Sequence, residues 1–295
     1  MCIRDSVRKK ASKALREQLF LPKGEHTTIL VAISGGKDSA VLLERLHENL
    51  GKRRDVTLVG GCVDEGIEGY RPPSLECARQ LCEDLGIRIE TVSYPELGFK
   101  EMDDVVNKIV QLEEKKAPCS YCGVFRRQGI NHLADRVNAD VIALGHNLDD
   151  MAQTIMMNMQ NGDLERTLRL APHTSTPLEG MVPRIVPLRW IPEQEIHLYA
   201  LHKKLPIHHE ECPHGEGALR FRNRETIAMM ESDVPGTRHG LLRMADDLKR
   251  LHASAGGKFN TISPINCPDC GQMCSGNICK ACEMKKQMQK SNPAP

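Results

Sequence analysis

Aromatic side chains are scarce in this sequence of 295 residues, because Phe, Tyr and Trp together make up only 3% of it. Aliphatic side chains and the 13 methionines must therefore fill most of the core that a hydrophobic content of 40% permits. A secretory signal and an apolar run long enough to cross a bilayer are also missing, which argues against a helical membrane protein. We therefore expect a protein of the cytoplasm with no membrane partner.

A strong net charge is missing as well, since 40 Lys and Arg stand against 39 Asp and Glu. The field of the whole molecule therefore argues neither for nor against a polyanionic partner, and a nucleic-acid surface must come from local clusters. A solvated charged face is the usual meaning of such clusters. The basic clusters are the first helix, the pair Arg126 and Arg127, and the segment ALRFRNRE with Arg220, Arg222 and Arg224.

Short apolar strands alternate with amphipathic helices in the first half of the chain. This alternation predicts βα units around a parallel sheet, an α/β fold whose ligands bind beyond the carboxyl ends of the strands. A basic helix over Val7–Leu19 is expected before the first strand. The predicted strands are 28–33, 56–63, 87–92 and 140–145, and the predicted helices between them are 39–50, 73–85, 102–115 and 122–137.

A Walker A loop is missing, because the pattern GxxxxGK[ST] does not occur. A different glycine loop, SGGKDS, lies between the first buried strand and a helix. Its glycines let a phosphate approach the backbone, the helix N-terminus offers free N–H groups, and the lysine adds charge. An aspartate beside phosphates is repulsive unless Mg²⁺ bridges both, and a plain Ser/Asp-capped glycine turn would need no lysine. The predicted phosphate site comprises Ser34, Gly35, Gly36, Lys37, Asp38 and Ser39.

Twelve cysteines are many for a chain of this length. Without a secretory signal, CxxC pairs indicate metal or redox chemistry rather than disulfides. The ending CPDC…CKAC carries two such pairs, which together present four thiolates as a tetrahedron. We therefore predict a structural zinc ion in the tail, bound by Cys267, Cys270, Cys279 and Cys282, with Cys274 as a spare thiol.

A further CxxC stands alone in CSYCGVFRR and needs other ligands. Cys119 and Cys122 follow Pro118, in a loop expected to enter a helix whose N-terminus stabilises thiolates. Cys212, in HHEECPH, is the third candidate. Three cysteines make a poor zinc cage but suit an iron–sulfur cluster with one iron left open. Two alternatives remain: a persulfide relay without a metal, or a zinc ion completed by His208, His209 or His214.

The SGGKDS loop after a buried strand resembles the PP-loop of the ATP pyrophosphatase superfamily, whose members split ATP into AMP and pyrophosphate. Two further motifs follow strands: VDEGI, which begins at residue 63 and contains Asp64, and GHNLDD, with Gly145, His146 and Asp150. Together with CSYCGVFRR, they resemble the two-thiouridine synthetases that thiolate tRNA, above all the archaeal and eukaryotic cytoplasmic wobble-uridine thiolases. The resemblance implies an adenine nucleotide alpha hydrolase-like domain with a C-terminal zinc ribbon.

The resemblance also implies an enzyme that adenylates O2 of a tRNA uridine with ATP and then replaces AMP by sulfur. The implied partners are tRNA, a ubiquitin-like sulfur carrier that ends in a thiocarboxylate, and a second copy or a paralogue of this chain. The same motifs leave open the T-loop thymidine as target, or a synthetase that adenylates a small amide or carboxyl group. Such a synthetase would need no sulfur site.

The implied active-site residues fall into two groups. The ATP group consists of SGGKDS, Asp64, Gly145, His146 and Asp150, and the resemblance implies Mg²⁺ at Asp38 and Asp150. A 4Fe-4S cluster is implied at Cys119, Cys122 and Cys212, with Arg126 or Arg127 stabilising the negative charge that passes through the site.

Four parts are expected along the chain. Family members often begin with a second zinc knuckle, which is missing here, so either the sequence starts inside a longer protein or that knuckle is dispensable. A Pro-rich run after Gly162 and the pair Gly256-Gly257 suggest the later boundaries. The parts are a basic helix (1–23), an ATP-binding domain (24–165), a helical and irregular extension (166–256), and a zinc ribbon with a basic tail (257–295).

Overall fold

One sheet of five parallel strands organises the chain and confirms the expected α/β class. The strand order is β3-β2-β1-β4-β5. The computed structural model describes residues 2–110, 117–173, 180–215, 219–256, 265–274 and 276–290. The strands are β1 (Thr27–Ala32), β2 (Val56–Asp64), β3 (Arg88–Ser93), β4 (Val141–Ala143) and β5 (Arg184–Ile185).

Alternate residues of the strands enter two separate cores, one on each face of the sheet. Ile29 and Val31 of β1 enter the first core, whereas Leu30 enters the second. This alternation follows from the period of two in an extended chain. The first core packs under α1 (Ile3–Gln18), α2 (Lys37–Leu50), α3 (Arg71–Asp84) and α8 (Glu193–His202), and the second under α4 (Met102–Ile109), α5 (Pro118–Arg136) and α11 (Lys280–Lys290).

A third, smaller hydrophobic cluster joins two of the remaining described helices. Leu148, Met151 and Ile155 contact Leu242 and Ala245 in this cluster. Among the described helices, none is both long and apolar enough to cross a bilayer. The remaining helices are α6 (Leu148–Gln160), α7 (Leu164–Leu168), α9 (Leu219–Asp233) and α10 (Thr237–Ser254), and α6 and α10 provide the residues of this third cluster.

Several predicted elements differ in extent from the observed ones, and α5 begins at Pro118 instead of Cys122. Helix α1 begins at Ile3 instead of Val7, with Asp5 in its first turn, where a carboxylate complements the helix dipole. Strand β4 is shorter than predicted, because the chain turns into the GHNLDD segment after Ala143. The predicted helix 102–115 is described as far as Ile109, and residues 111–116 lie outside the described residues.

Strand β5 was not predicted, because it consists of two residues in a Pro-rich run that indicates irregular structure. It pairs with β4 at the edge of the sheet. Proline is tolerated there because an edge strand needs hydrogen bonds to a neighbouring strand on one side only. Helices α1 and α8 also enter the first core. The sheet and its core therefore draw on residues outside 24–165, and the domain boundaries stay a prediction about which parts can fold alone.

Candidate active site

The motifs SGGKDS and GHNLDD meet at the point where the strand order reverses. β1 and β4 are neighbours in the sheet, although β2 and β3 come between them in the chain. Their carboxyl ends lead into SGGKDS and GHNLDD respectively. Crevices at such reversal points are where open parallel sheets bind ligands.

The backbone of the SGGKDS loop requires glycine at Gly35. Its φ is +84°, and a Cβ there would lie 1.8 Å from the carbonyl oxygen of Ser74. Gly36 is the N-cap of α2 and provides no side-chain cap, so the first N–H groups of this helix are available to an anion. The hydroxyl groups of Ser34 and Ser39 lie 3.2 Å apart and brace the turn.

Two carboxylates and a lysine surround the open end of this loop. Nζ of Lys37 lies 3.2 Å from Oδ2 of Asp38 and 2.8 Å from Oε1 of Glu193. Nδ2 of Asn147 donates to Oδ1 of Asp38 at 2.9 Å. Burial first, and the nearby charge of Asp150 in addition, raise the pKa of Asp38 despite its pairing with Lys37. A cation that bridged Asp38 and Asp150 would relieve this repulsion.

The GHNLDD segment begins α6 with a capping box. The side chain of Asn147 accepts from N–H of Asp150, and the carboxylate of Asp150 accepts in return from N–H of Asn147. The free oxygen of Asp150, Oδ1, lies 2.9 Å from Nη1 of Arg220. Gly145 lies close to the Asp38 backbone, since a Cβ there would approach it to 3.3 Å. His146 lies between β4 and α6, within electrostatic range of Asp150.

The other acid of this segment, Asp149, has a structural task. Its Oδ1 lies 2.6 Å from Nη1 of Arg238, and its Oδ2 accepts from N–H of Glu193 at 2.8 Å. Asp149 therefore joins α6 to α8 and α10. Asp64, at the end of β2, uses Oδ1 to accept from N–H of Gly66 at 3.0 Å.

The three central cysteines come together although they belong to two distant segments. Cys119 and Cys122 lie in the first turn of α5, with Pro118 at its first position. A short 3-10 turn, Pro213–Gly215, packs against α5 and brings Cys212 to the same place. The charges of Cys119 and Cys122 both act on Cys212.

The thiols of this site repel one another when they are deprotonated. Burial, followed by the charge of Cys122, raises the pKa of the Cys119 thiol. Burial also raises the pKa of Cys212, and the charges of the other two cysteines add to it. The expected stabilisation by the helix N-terminus is therefore outweighed at Cys119. A positively charged metal centre would compensate the thiolates.

The spacing of these three sulfur atoms does not suit a single zinc ion. Sulfur ligands about 2.3 Å from one zinc ion lie roughly 3.8 Å from one another. Among the described residues, sets of three or more potential ligand atoms within 4.8 Å of one another are confined to the tail. No histidine of the described ranges forms such a set with the central cysteines. This argues against the zinc alternative with His208, His209 or His214.

Polar groups surround Cys122 in particular. Oη of Tyr94 donates to its carbonyl oxygen at 3.1 Å, and Nη2 of Arg126 lies 3.5 Å from its Sγ. Nε2 of His214 lies 2.5 Å from Oδ1 of Asp103, which anchors the turn that follows Cys212. Arg126 is thus placed to stabilise negative charge on sulfur.

A buried acid, Glu65, links the cysteine site to the phosphate loop. Glu65 is 2% exposed and lies between two arginines, with Oε2 at 2.8 Å from Nε of Arg71 and Oε1 at 2.7 Å from Nε of Arg126. Nη1 of Arg71 donates to the carbonyl oxygen of Ser34 at 2.9 Å. A continuous series of ion pairs and hydrogen bonds therefore connects the SGGKDS loop to Cys122.

Sequence reasoning missed Glu65, Arg71 and Glu193. Glu65 stands beside Asp64 in the VDEGI motif, so the position after a strand could have singled it out. Glu193 begins α8, far from either motif, and no local pattern indicates that it pairs with Lys37.

The four tail cysteines form a closed set, because their sulfur atoms all lie within 4.8 Å of one another. Burial raises the pKa of Cys267, but N–H groups that donate to its sulfur outweigh burial and lower it to about 6. Burial raises the pKa of Cys279 to about 11. A hairpin of β6 (Ile265–Asn266) and β7 (Met273–Cys274) precedes α11, and Cys267, Cys279 and Cys282 belong to the second core of the sheet.

Comparison with known proteins places the chain in a family. The family model described as PP-loop domain matches residues 5–228. The tRNA 2-thiolation protein NcsA of Haloferax volcanii is 36% identical over 294 residues, which cover 96% of this chain and 91% of that protein. The chain belongs to the PP-loop family of tRNA 2-thiolation proteins.

Further relatives carry names of the same kind. Cytoplasmic tRNA 2-thiolation protein 1 of Chlamydomonas reinhardtii is 36% identical over 268 residues, 90% of this chain and 72% of that protein. The solved U34-tRNA thiolase NcsA from Methanococcus maripaludis, described with its 4Fe-4S cluster, is 30% identical. Its TM-score is 0.72, with 84% of this chain and 80% of that chain covered.

Replacement of Glu65 by glutamine tests the central ionic contacts. Glu65→Gln leaves two arginines without their shared carboxylate, so we expect the free energy of unfolding to fall by about 3–5 kcal/mol. Urea denaturation measures this loss. The matched control is Glu76→Gln, which removes an exposed acid 3.8 Å from Arg79 and should change the free energy by less than about 0.5 kcal/mol. Equal effects of the two substitutions would contradict the central role of Glu65.

Proposed function

We propose that this chain is an ATP-dependent tRNA-uridine 2-sulfurtransferase of the cytoplasm that makes 2-thiouridine at the wobble position. The observation that carries the proposal is the link through Glu65 between a phosphate-binding loop and a three-cysteine site. The names of the relatives, tRNA 2-thiolation proteins and a U34-tRNA thiolase, support the substrate. A synthetase that adenylates a small amide or carboxyl group would not need the cysteines.

The first step activates a poor leaving group. O2 of the uridine attacks the α-phosphorus of ATP, the bond to the β-phosphate breaks, and pyrophosphate leaves. The N–H groups at the start of α2 and the hydroxyl groups of Ser34 and Ser39 are suited to hold the phosphates. Lys37 is held by Asp38 and Glu193, and it can turn to the phosphates when they arrive.

The acids of the site suit a Mg²⁺ ion. Asp38 and Asp150 would hold it, because their carboxylates interact across the loop and the pKa of Asp38 is raised, first by burial. The ion would supply positive charge to the departing pyrophosphate. Arg220, which pairs with Asp150, would then be free for another anion.

In the second step sulfur attacks C2 of the adenylated uridine and AMP leaves with the former O2. Cys119, Cys122 and Cys212 would hold a 4Fe-4S cluster, which would supply an iron position without a protein ligand for sulfur. Arg126 lies beside Cys122 and stabilises negative charge at this point. A persulfide relay on the same cysteines is the alternative chemistry.

Partners follow from this chemistry. The RNA substrate must present its uridine unstacked, as bases that undergo chemistry do. We include in the proposal a ubiquitin-like carrier that ends in a thiocarboxylate as the sulfur source, and a second copy or a paralogue as an assembly partner.

Two aspartate variants test the adenylation step. Asp38→Ala and Asp150→Ala should each reduce tRNA-dependent pyrophosphate release by roughly 100-fold or more, because the charge on the departing group loses its metal. Asp55→Ala is the control, since Asp55 pairs with Arg53 in an exposed position before β2. Circular dichroism checks that all three fold. Normal pyrophosphate release from Asp38→Ala and Asp150→Ala would refute the adenylation step.

Three cysteine variants test the sulfur site. Cys119→Ser, Cys122→Ser and Cys212→Ser should each abolish 2-thiouridine formation and the visible absorbance of anaerobically reconstituted protein, yet retain part of the pyrophosphate release. The control Cys77→Ser, in α3, should leave iron content and thiolation unchanged. Iron and sulfide analysis gives the stoichiometry. A wild type that thiolates tRNA without binding iron would favour the persulfide relay.

We propose a structural zinc ion at Cys267, Cys270, Cys279 and Cys282, since their spacing suits a tetrahedron. The tail packs into the second core, so its metal also supports α5.

The double substitution Cys267→Ser with Cys270→Ser should therefore remove about one zinc per chain and lower the thermal midpoint. Cys274→Ser, whose sulfur lies outside the set of four, is the matched control and should keep the zinc. Metal analysis and calorimetry measure both effects. Retention of zinc by the double variant would show that other ligands bind it.

A further inference from the structure

Two arginines beside the active site differ from their neighbours, because no carboxylate of the described residues pairs with them. Arg126, Arg220 and Arg224 each lie within 3.1 Å of an acid. Arg127 and Arg184 have neutral partners only: Nε of Arg127 donates to the carbonyl oxygen of Gly123 in its own helix at 2.9 Å, and Nη2 of Arg184 donates to Oδ1 of Asn131 at 2.7 Å.

The guanidinium group of Arg184 is also incompletely bonded. Its Nε is buried and has no hydrogen-bond partner within the described part of the chain. Burial first, and then the charge of Arg127, lower the pKa of Arg184 to about 10. The side chain of Arg127, in contrast, is exposed on the surface of α5. A buried N–H group without an acceptor, close to a second positive charge, is costly unless an anion accepts from it.

Two histidines near Arg127 and Arg184 are affected by the positive charge of these arginines. Burial, together with the charges of Arg184 and Lys249, lowers the pKa of His173 to about 4, so this imidazole stays neutral. His146 of the GHNLDD segment lies within electrostatic range of Arg127 and Arg184. The pair therefore lies near the GHNLDD segment at the start of α6.

The position of the pair separates it from the expected site of the ATP phosphates. Arg184 belongs to β5, two strands from β1, which corresponds to roughly 10 Å across the sheet. Its side chain contacts Asn131 of α5, on the face opposite to α2, whose N-terminus forms the phosphate loop. Arg127 follows Cys122 by five positions, about 7.5 Å along the axis of α5. The pair is therefore on the side of the cysteines.

We propose that Arg127 and Arg184 form a phosphate-binding subsite that takes one backbone phosphodiester of the RNA substrate beside the uridine that enters the active site. This inference rests on the proposed function. Guanidinium groups bind phosphate oxygens through paired N–H groups, and such contacts position a nucleic acid without reading its sequence. With its phosphate on the α5 side, the nucleotide places its base between the phosphate loop and Cys122.

Charge-removing substitutions test the subsite. Arg127→Gln and Arg184→Gln should each weaken binding of unmodified tRNA roughly tenfold, because each removes a charged hydrogen bond to phosphate. The slope of log K against log salt should fall by about 0.7–0.9 for each variant. The control is Arg54→Gln, since Arg54 is exposed and lies before β2, which is on the other side of β1 from β5.

The thermal midpoint of each variant distinguishes the proposed subsite from an ion pair within the protein, because loss of such an ion pair would lower the midpoint. Removal of an uncompensated charge should leave the midpoint of each variant unchanged or raise it. A fall in the midpoint of both variants would reveal an acidic partner in the protein and overturn the proposal. Arg127→Gln lies on a helix surface and so provides the test even where Arg184→Gln unfolds.

Two probes distinguish the sources of the phosphate. Binding of ATP alone should be the same in wild type and both variants, and weaker ATP binding with normal tRNA binding would overturn the proposal in favour of a nucleotide site. An RNA stem-loop with single neutral methylphosphonates should lose affinity for wild type at one linkage, and Arg184→Gln should be insensitive to that same change. Sensitivity that is equal in the two proteins would refute the subsite.

The experiments distinguish a failure of the proposed function from a failure of the phosphate-binding subsite. If the wild type forms no 2-thiouridine while both variants still lose tRNA affinity, the subsite stands and the reaction is wrong. If the wild type thiolates tRNA and both variants bind and thiolate it normally, the reaction stands and the subsite is wrong.

Discussion

The carboxylate of Glu65 is buried between Arg71 and Arg126, and the rest of the site depends on this contact. Glu65 and Arg71 are almost completely buried, so either charge alone at this depth would cost several kcal/mol. The side chain of Arg126 is half-exposed and gives Glu65 a second partner. The arginines have further partners: Arg71 reaches the carbonyl oxygen of Ser34, and Arg126 reaches the sulfur of Cys122. The phosphate loop and the cysteine site are consequently held at one distance from each other. In the proposed reaction, both sites act on the same uridine, so they must stay within reach of one substrate.

The charges around the two sites are arranged differently, and the difference has a physical meaning. Near the phosphate loop, cations are paired with acids: Lys37 with Asp38 and Glu193, and Arg220 with Asp150. These pairs are partly exposed, so ligand phosphates and a metal can exchange with them at modest cost. On the α5 side, Arg127 lacks such a partner among the described residues. The first arrangement suits a ligand that brings its own cation, and the second suits an anion without one.

Sequence patterns were informative where local chemistry decides the structure. The wholly apolar run at 28–33 predicts a buried parallel strand, and the CxxC pairs predict where the tail cysteines meet. Strand β5 escapes prediction because two residues form it and tertiary pairing with β4, not propensity, selects it. Glu193 escapes for a related reason: an acid in the first turn of a helix is ordinary, and only the fold brings it to Lys37. The missed features are contacts between elements that are distant in the chain.

Helix α5 connects the four tail cysteines to the central site. Its first turn carries Cys119 and Cys122, and one face reaches Glu65 through Arg126. Further along, Nε2 of Gln128 lies 3.3 Å from the sulfur of Cys270 in the tail. Packing of α11 against α5 adds to this contact. Because a helix transmits displacement as a rigid element, a displacement of the tail would shift the central cysteines and the Arg126 contact together, and Glu65 would pass the change on to the phosphate loop.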